Sequence, residues 1–364
     1  MERNTRLNTQ DTINYSCPGC GSNMIFDPET QTLKCPFCGN SQEVQTPHEE
    51  IKEYDFEAAQ DSASTNWGED TKVLQCKNCG SELVLGAYDS TSSCSFCGSS
   101  YIVKNEVTPG IAPESLVPFK ISQKKAAEMF SGWIKKRFFA PKALKTSYKS
   151  DKIKGVYVPC WTYDADTHSQ YTAEVGTYYY VTETYTENGQ QKTRQVRKTR
   201  WSFTSGQYSE FYNDVLINAS KQTEGGLMDA LEPFNLNELT SYDPKFLSGF
   251  AAERYSIGLK EGWKNAQRII DSYIQRGVRN QIHGDEVRNL QIGTSYFDIK
   301  FKHILLPVWI SAYTYKNKIY RYMVNGQTGE VQGHAPVSAI KVILLIASIL
   351  AVGFIAYYLI SMYQ

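Results

Sequence analysis

The spacing of apolar residues changes period several times along the chain. Over residues 122–139 they recur at Ala126, Met129/Phe130, Trp133/Ile134 and Phe138, the period of an amphipathic helix, and Pro141 closes it. A second helical stripe over 259–282 places Trp263, Ala266, Ile269/Ile270, Tyr273/Ile274 and Val278 on one side. From Lys154 onward the intervening chain is rich in Tyr, Thr and Val, which predicts strands. Segments 171–185 and 191–205 flank Asn188-Gly189, a pair that tolerates the two positive φ angles of a type I′ turn. That turn sets a register: Glu183 opposite Arg194, Val181 opposite Val196, Tyr179 opposite Lys198. Lys192, Arg194, Lys198 and Arg200 then share one face, which suits either solvated cross-strand pairing or an anionic surface. Further strands are expected at 295–301, 304–315 and 318–324, with turns at Asn325-Gly326 and Thr328-Gly329. Val158-Pro159-Cys160-Trp161 is echoed by Leu306-Pro307-Val308-Trp309, each opening an aromatic-rich strand after a helix, which suggests two related α+β halves.

Residues 342–360 are 19 consecutive positions without a charge. As a helix they would span about 28 Å, close to a bilayer core. Tyr357 and Tyr358 suit an aromatic belt at one end, and only Ser361 to Gln364 follow. A tail-anchored transmembrane helix is expected. Lys316, Lys318, Arg321 and Lys341 precede it, so the positive-inside rule puts the bulk of the protein in the cytoplasm, at the cell membrane.

Composition adds scale and chemistry. The chain has 364 residues, 41% hydrophobic and 21% charged, enough to bury a sizeable core in two or three domains. Eight of nine cysteines form four C-x-x-C pairs: Cys17/Cys20, Cys35/Cys38, Cys76/Cys79 and Cys94/Cys97. The second two pairs repeat the first two at an offset of 59 residues, an internal duplication. Each block reads C-x2-C-x14-C-x2-C, the spacing of a four-thiolate zinc ribbon. Two residues between ligands let one tight turn aim both sulfurs at one ion. Gly21, Gly39, Gly80 and Gly98 follow each second cysteine, where the knuckle needs positive φ. Disulfides would need an oxidising compartment, and the N-terminal MERNTRLNTQDT has no secretory character. A thioredoxin-type motif would need a βαβ context. Two structural zinc ions are therefore expected, in closed sites with no open position for hydrolysis. Cys160, in an apolar run, reads as a buried small hydrophobe.

The formal net charge is zero, yet the signs are segregated. Residues 1–110 hold 7 Lys/Arg against 16 Asp/Glu, and 111–335 hold 30 against 22. Each four-thiolate site would leave about two more negative charges on the ribbons. Nucleic-acid affinity rests on cations at phosphates, so acidic ribbons favour protein partners over DNA or RNA. A membrane-tethered nucleic-acid-binding regulator remains the alternative. The acidic head and basic body should attract each other. Between the ribbons, Ile51, Tyr54, Phe56, Ala58 and Ala59 fit either a short amphipathic helix or a solvated tether. The basic body suits anionic lipid. Asp164, Asp166 and His168 alternate on a strand and offer a possible metal face, against the commoner reading of a polar strand surface. No Gly-Lys dipeptide, G-x-S-x-G, H-E-x-x-H or G-x-G-x-x-G is present, so no catalytic residue is assigned and no enzyme is expected.

The reading is an α+β protein with five parts: a first zinc ribbon (1–45), an acidic linker (46–70), a second ribbon (71–110), a basic α+β domain (111–335) and a transmembrane anchor (336–364). The motifs CPGCG, CPFCG, CKNCG and CSFCG, with DPKFLSGFAAERY, LLPVWISAYTY and VNGQTGEVQG before a terminal apolar helix, resemble bacterial membrane-anchored transcription-factor-IIB-type zinc-ribbon proteins. That resemblance implies an adaptor in membrane-stress response, with phage-shock protein A-like or flotillin-like partners. Some members of that group are labelled helicase-like, which the missing ATP-binding motif does not support here.

Overall fold

The computed structural model describes residues 15–44, 51–58, 71–86, 91, 93–100, 102–104, 110–141, 153–223, 225–315 and 318–362. Its spine is three long strands. Strand β9 (Lys154–Glu187) turns at Asn188 (φ 53°) and Gly189 (φ 79°) into β10 (Gln190–Asn218). The register is the expected one, with Arg194 opposite Glu183, Val196 opposite Val181 and Lys198 opposite Tyr179. Strand β13 (Glu286–Tyr315) lines the other edge of β9 from Lys154 to Gly176, so the hairpin beyond Gly176 is two-stranded. The break expected between 301 and 304 is absent. Lys302 and His303 continue the strand because each, though buried, has a polar partner: Lys302 pairs with Glu53 (2.9 Å) and Asp214 (2.7 Å), and His303 Nδ1 lies 3.0 Å from the Ile111 carbonyl.

The echoed motifs start opposite each other and run outward in opposite directions. Val158 pairs with Leu306 in the antiparallel β9–β13 ladder, which places a local pseudo-twofold axis between them. The relation extends outward. Strand β8 (Ser115–Leu116) runs parallel to Ile304–Leu305, and β12 (Ala251–Glu253) runs parallel to Val156–Tyr157. Helix α1 (Gln123–Lys136) starts after Ser122, and the longer amphipathic helix (Leu259–Gln281) after Gly258, at the same distance from the first residues of those strands. Pro159 O accepts from Ala219 N (3.0 Å) and Pro307 O from Gly326 N (2.8 Å). Ala219 O in turn accepts from Ser256 and Ile257, as Gly326 O accepts from Lys120 and Ile121.

The shared centre is buried on both faces. One face, with Tyr157, Leu305 and Trp309, packs under α1 through Phe130 and Ile134 and under the first ribbon through Met24, Phe26 and Leu33. The opposite face, with Val158, Cys160 and Leu306, meets Leu83, Leu85 and Phe96 of the second ribbon and the short helix α2 (Gly225–Asp229). Helix α3 (Leu259–Gln281) covers the blade farther out, with Trp263, Ala266, Ile270, Ile274 and Val278 buried as its stripe predicts. Cys160 is fully buried, as expected.

The first ribbon is a separate three-stranded sheet: β1 (Ile25–Asp27), β2 (Thr32–Lys34) and β3 (Ser41–Glu43). The second ribbon merges with the main sheet: β5 (Thr71–Cys76), β6 (Glu82–Gly86) and β7 (Ile102–Lys104) join it where β6 pairs with β12. Head and body are thus held mainly by buried apolar surface and strand pairing. Charge contributes pairs such as Arg254–Glu82 (3.2 Å), rather than an open attraction between two bodies.

The linker also differs from expectation. Tyr54–Asp55 form strand β4, paired with Lys300 and Phe301, and Phe56 N donates to Ile299 O (3.0 Å). Tyr54 packs on Phe301, and Phe56 on Tyr163 and Trp263. Two aromatics two residues apart suit a strand that needs one apolar face. Ala59 and the acidic residues Glu49, Glu50, Asp61, Glu69 and Asp70 lie outside the described residues, as does Lys316.

The remaining strands β11 (Thr240–Ser241), β14 (Lys318–Asn325) and β15 (Val331–Gly333) close the edges. The chain ends in helix α4 (Ala339–Met362), 24 residues with none buried against the protein. It is long and apolar enough to cross a membrane.

Candidate metal centres

Four knuckles repeat one hydrogen-bond pattern. The carbonyls of Cys17, Cys35, Cys76 and Cys94 accept from the N–H of Gly21, Gly39, Gly80 and Gly98 at 2.8–3.1 Å. The amides of the same cysteines donate to Ser22, Asn40, Ser81 and Ser99 at 2.7–2.9 Å. All four glycines have φ between 72° and 78°, the left-handed region a side chain disfavours. Each knuckle therefore closes on local sequence alone, and the ribbon strands bring two knuckles face to face.

The sulfurs then converge. Cys17–Cys38 and Cys20–Cys35 are 3.3 and 3.5 Å apart, and Cys76–Cys97 and Cys79–Cys94 are 3.6 and 3.7 Å apart. Within each group all four ligand atoms lie within 4.8 Å of one another. A disulfide would need about 2.05 Å. The edge of a tetrahedron with metal–sulfur bonds of about 2.3 Å is about 3.8 Å, close to what is seen. Cys17/Cys20/Cys35/Cys38 and Cys76/Cys79/Cys94/Cys97 are thus two centres compatible with two thiophilic ions. Within each centre some thiols are held low and others high. The Ser22 hydroxyl and amide donate to Cys20 and bring it down to about 6, whereas burial pushes Cys94 up to about 12. A thiol held up by burial is one that a cation must ionise.

The two centres are unequally embedded. The second is bolted to the body: Gln222 Nε2 donates to Cys79 O (2.9 Å) and Arg321 Nε to Phe96 O (3.1 Å). Its knuckle residue Phe96 is 1% exposed, while Phe37, at the same place in the first block, is 80% exposed. Nothing in the sequence separates these two phenylalanines, and the ribbon contacts of Gln222 and Arg321 carried no sequence signal because their partners are so distant along the chain.

Asp164, Asp166 and His168 do not gather. Residues two apart on a strand are roughly 6.6 Å apart along it, and their surroundings diverge as well. Asp164 is buried beside bulges in both neighbouring strands and accepts from Asp214 N (2.6 Å), near Lys302 and Glu53. Burial lifts it to about 6. Burial also opposes ionisation of Glu53, yet the Lys302 ammonium holds that carboxyl below its ordinary value. Asp166 is exposed, and His168 Nδ1 meets Ser209 Oγ at 2.8 Å. Among the described residues, the groups placed to hold a metal are the two cysteine sets.

No family model matches the chain. No solved structure matches it. Protein YdjG of Bacillus subtilis (strain 168), described as an uncharacterized protein, is 30% identical over 361 residues, which cover 96% of this chain and 98% of YdjG. With that identity over nearly the whole of both chains, the chain belongs to the same family as YdjG.

Proposed function

We propose that this protein is a non-enzymatic, membrane-anchored zinc-ribbon adaptor that recruits partner proteins to the inner face of the cell membrane. The observation that carries it is Phe37, a large aromatic ring 80% exposed on a knuckle whose backbone is fixed by the Cys35–Gly39 bond. Rigid aromatic anchors of this kind dominate protein interfaces. Zinc suits both centres: four thiolates in a tetrahedral cage are its usual structural site, and such a closed cage leaves no position for a substrate. The acidic head of 1–110 favours a protein over a nucleic acid. Helix α4 supplies the anchor, with the body cytoplasmic by the positive-inside rule. The resemblance to membrane-anchored zinc-ribbon proteins points to membrane stress as the setting and to phage-shock protein A-like or flotillin-like partners.

The test is cross-linking in intact cells followed by detergent purification of the full chain, wild type beside Phe37→Asp. Loss of specific protein cross-links with both metals retained supports the adaptor. An unchanged set of cross-linked proteins, or cross-links to nucleic acid alone, overturns it.

A further inference from the structure

Helix α1 was expected to reach Phe139 with Phe138 on its apolar face. Instead it ends at Lys136, and Phe138 is 67% exposed. The turn that follows it is held from the other end of the chain. Ser338 N donates to Phe139 O (2.9 Å), and Lys341 Nζ donates to the carbonyls of Phe138 and Ala140, each at 2.7 Å. The Lys341 ammonium also sits 5.7 Å from the centre of the Phe138 ring. The turn after α1 is thereby pinned at the level of the first turn of α4, where Val337 and Ile340 are also exposed, at 61% and 72%.

Cations surround that turn. Lys135, Lys136 and Arg137 are exposed, and the Arg137 guanidinium lies 4.4 Å over the Trp133 ring. No acidic residue occurs from Met129 to Pro141 or from Val331 to Lys341. Lysines in a last helical turn also complement the helix dipole, and that would suffice for Lys135 and Lys136 alone. It leaves unexplained an exposed phenylalanine tied to the base of an apolar helix. An aromatic ring flanked by cations at that level is what a headgroup layer accommodates.

Resting on the membrane-spanning reading of α4, we propose that residues 133–138 form a collar that docks on anionic phospholipid. Phe138 enters the boundary between headgroups and acyl chains. Lys135, Lys136 and Arg137 engage the phosphates. The collar would set the height and tilt of the body above the bilayer.

The test uses the full chain reconstituted into vesicles of equal parts phosphatidylcholine and phosphatidylglycerol, with the photo-cross-linker p-benzoylphenylalanine replacing Phe138. A control carries it in place of Phe354, which is 70% exposed in α4. The expected result is lipid adducts at both positions, with the ratio of phosphatidylglycerol to phosphatidylcholine adducts at 138 about fivefold above the bulk ratio, as a single surface cation would give. That enrichment should fall towards the bulk ratio in K135Q/K136Q/R137Q and, independently of any substitution, in high salt. Lipid adducts at 354 but none at 138, or adducts at 138 in the bulk ratio, overturn the collar and leave the anchor standing. No lipid adducts at either position would remove the membrane reading and the collar together.

Discussion

Trp161 and Trp309 occupy equivalent places in the two halves of the body and make reciprocal hydrogen bonds. Trp161 Nε1 donates to Ile257 O (2.9 Å), and Trp309 Nε1 donates to Ile121 O (2.8 Å). Each acceptor immediately precedes the N-cap of a helix, Gly258 for α3 and Ser122 for α1. Each half thus positions the helix start of the other.

The symmetry makes a quantitative prediction. Trp161→Phe and Trp309→Phe each remove one such bond, about 1 kcal/mol, plus the volume of the lost ring. Both should lower the melting temperature of the detergent-solubilised chain by several degrees and by similar amounts. A silent substitution at either position would show that the two contacts are not energetically equivalent.

The two knuckle phenylalanines should behave oppositely. Phe96→Ala removes a ring that is 1% exposed and should cost about 3–5 kcal/mol. Phe37→Ala, at 80% exposure, should change stability by less than about 0.5 kcal/mol. Chemical denaturation of both variants decides it.

Metal removal should be stepwise. Elemental analysis is expected to give two zinc ions per chain. Cys20 and Cys38 are exposed, whereas Cys79 and Cys97 are half-buried, so a chelator should strip the first centre faster. Cys35→Ser should leave one ion, and its loss should remove the fast phase. Cys94→Ser should leave the other ion but destabilise the body, because Phe96 beside it sits in the core.

Glu253 gives a pH dependence. It is buried on β12, Ser220 Oγ donates to its Oε1 (2.8 Å), and burial pushes its carboxyl up to about 8. The folded state then holds a proton that the unfolded chain releases near pH 4.3. Between those values the unfolded state binds fewer protons, so this group's contribution to stability falls as pH rises, by up to about 1.4 kcal/mol per unit. Above about pH 8 the loss levels off. Glu253→Gln should flatten stability between pH 5 and 8; a slope identical to wild type would mean that another group dominates that window.

Much of this structure was legible from local pattern. The Asn188-Gly189 turn gave the register of a hairpin because two residues set it. The knuckle glycines took positive φ because a C-x-x-C-G turn allows little else. The ends of α3 fell within a residue or so of the apolar stripe. Other features misled for a physical reason. Lys302-His303 resembled a strand boundary, and only Glu53, Asp214 and the Ile111 carbonyl make that pair tolerable inside a sheet. Asp164 shares a strand face with Asp166 and His168, but alternation fixes direction and not what stands opposite.

By itself, then, the sequence determined the two cysteine centres, the α+β class, the long hairpin and the apolar terminal helix. Each follows from interactions within a turn, a strand pair or one helix face. Only the tertiary structure decided that Phe96 is core and Phe37 surface, that the linker becomes a strand on Phe301, and that Lys341 ties α4 to the end of α1. Those outcomes depend on groups separated by tens to hundreds of residues, and burial is a property of the assembled surroundings rather than of the side chain that is buried.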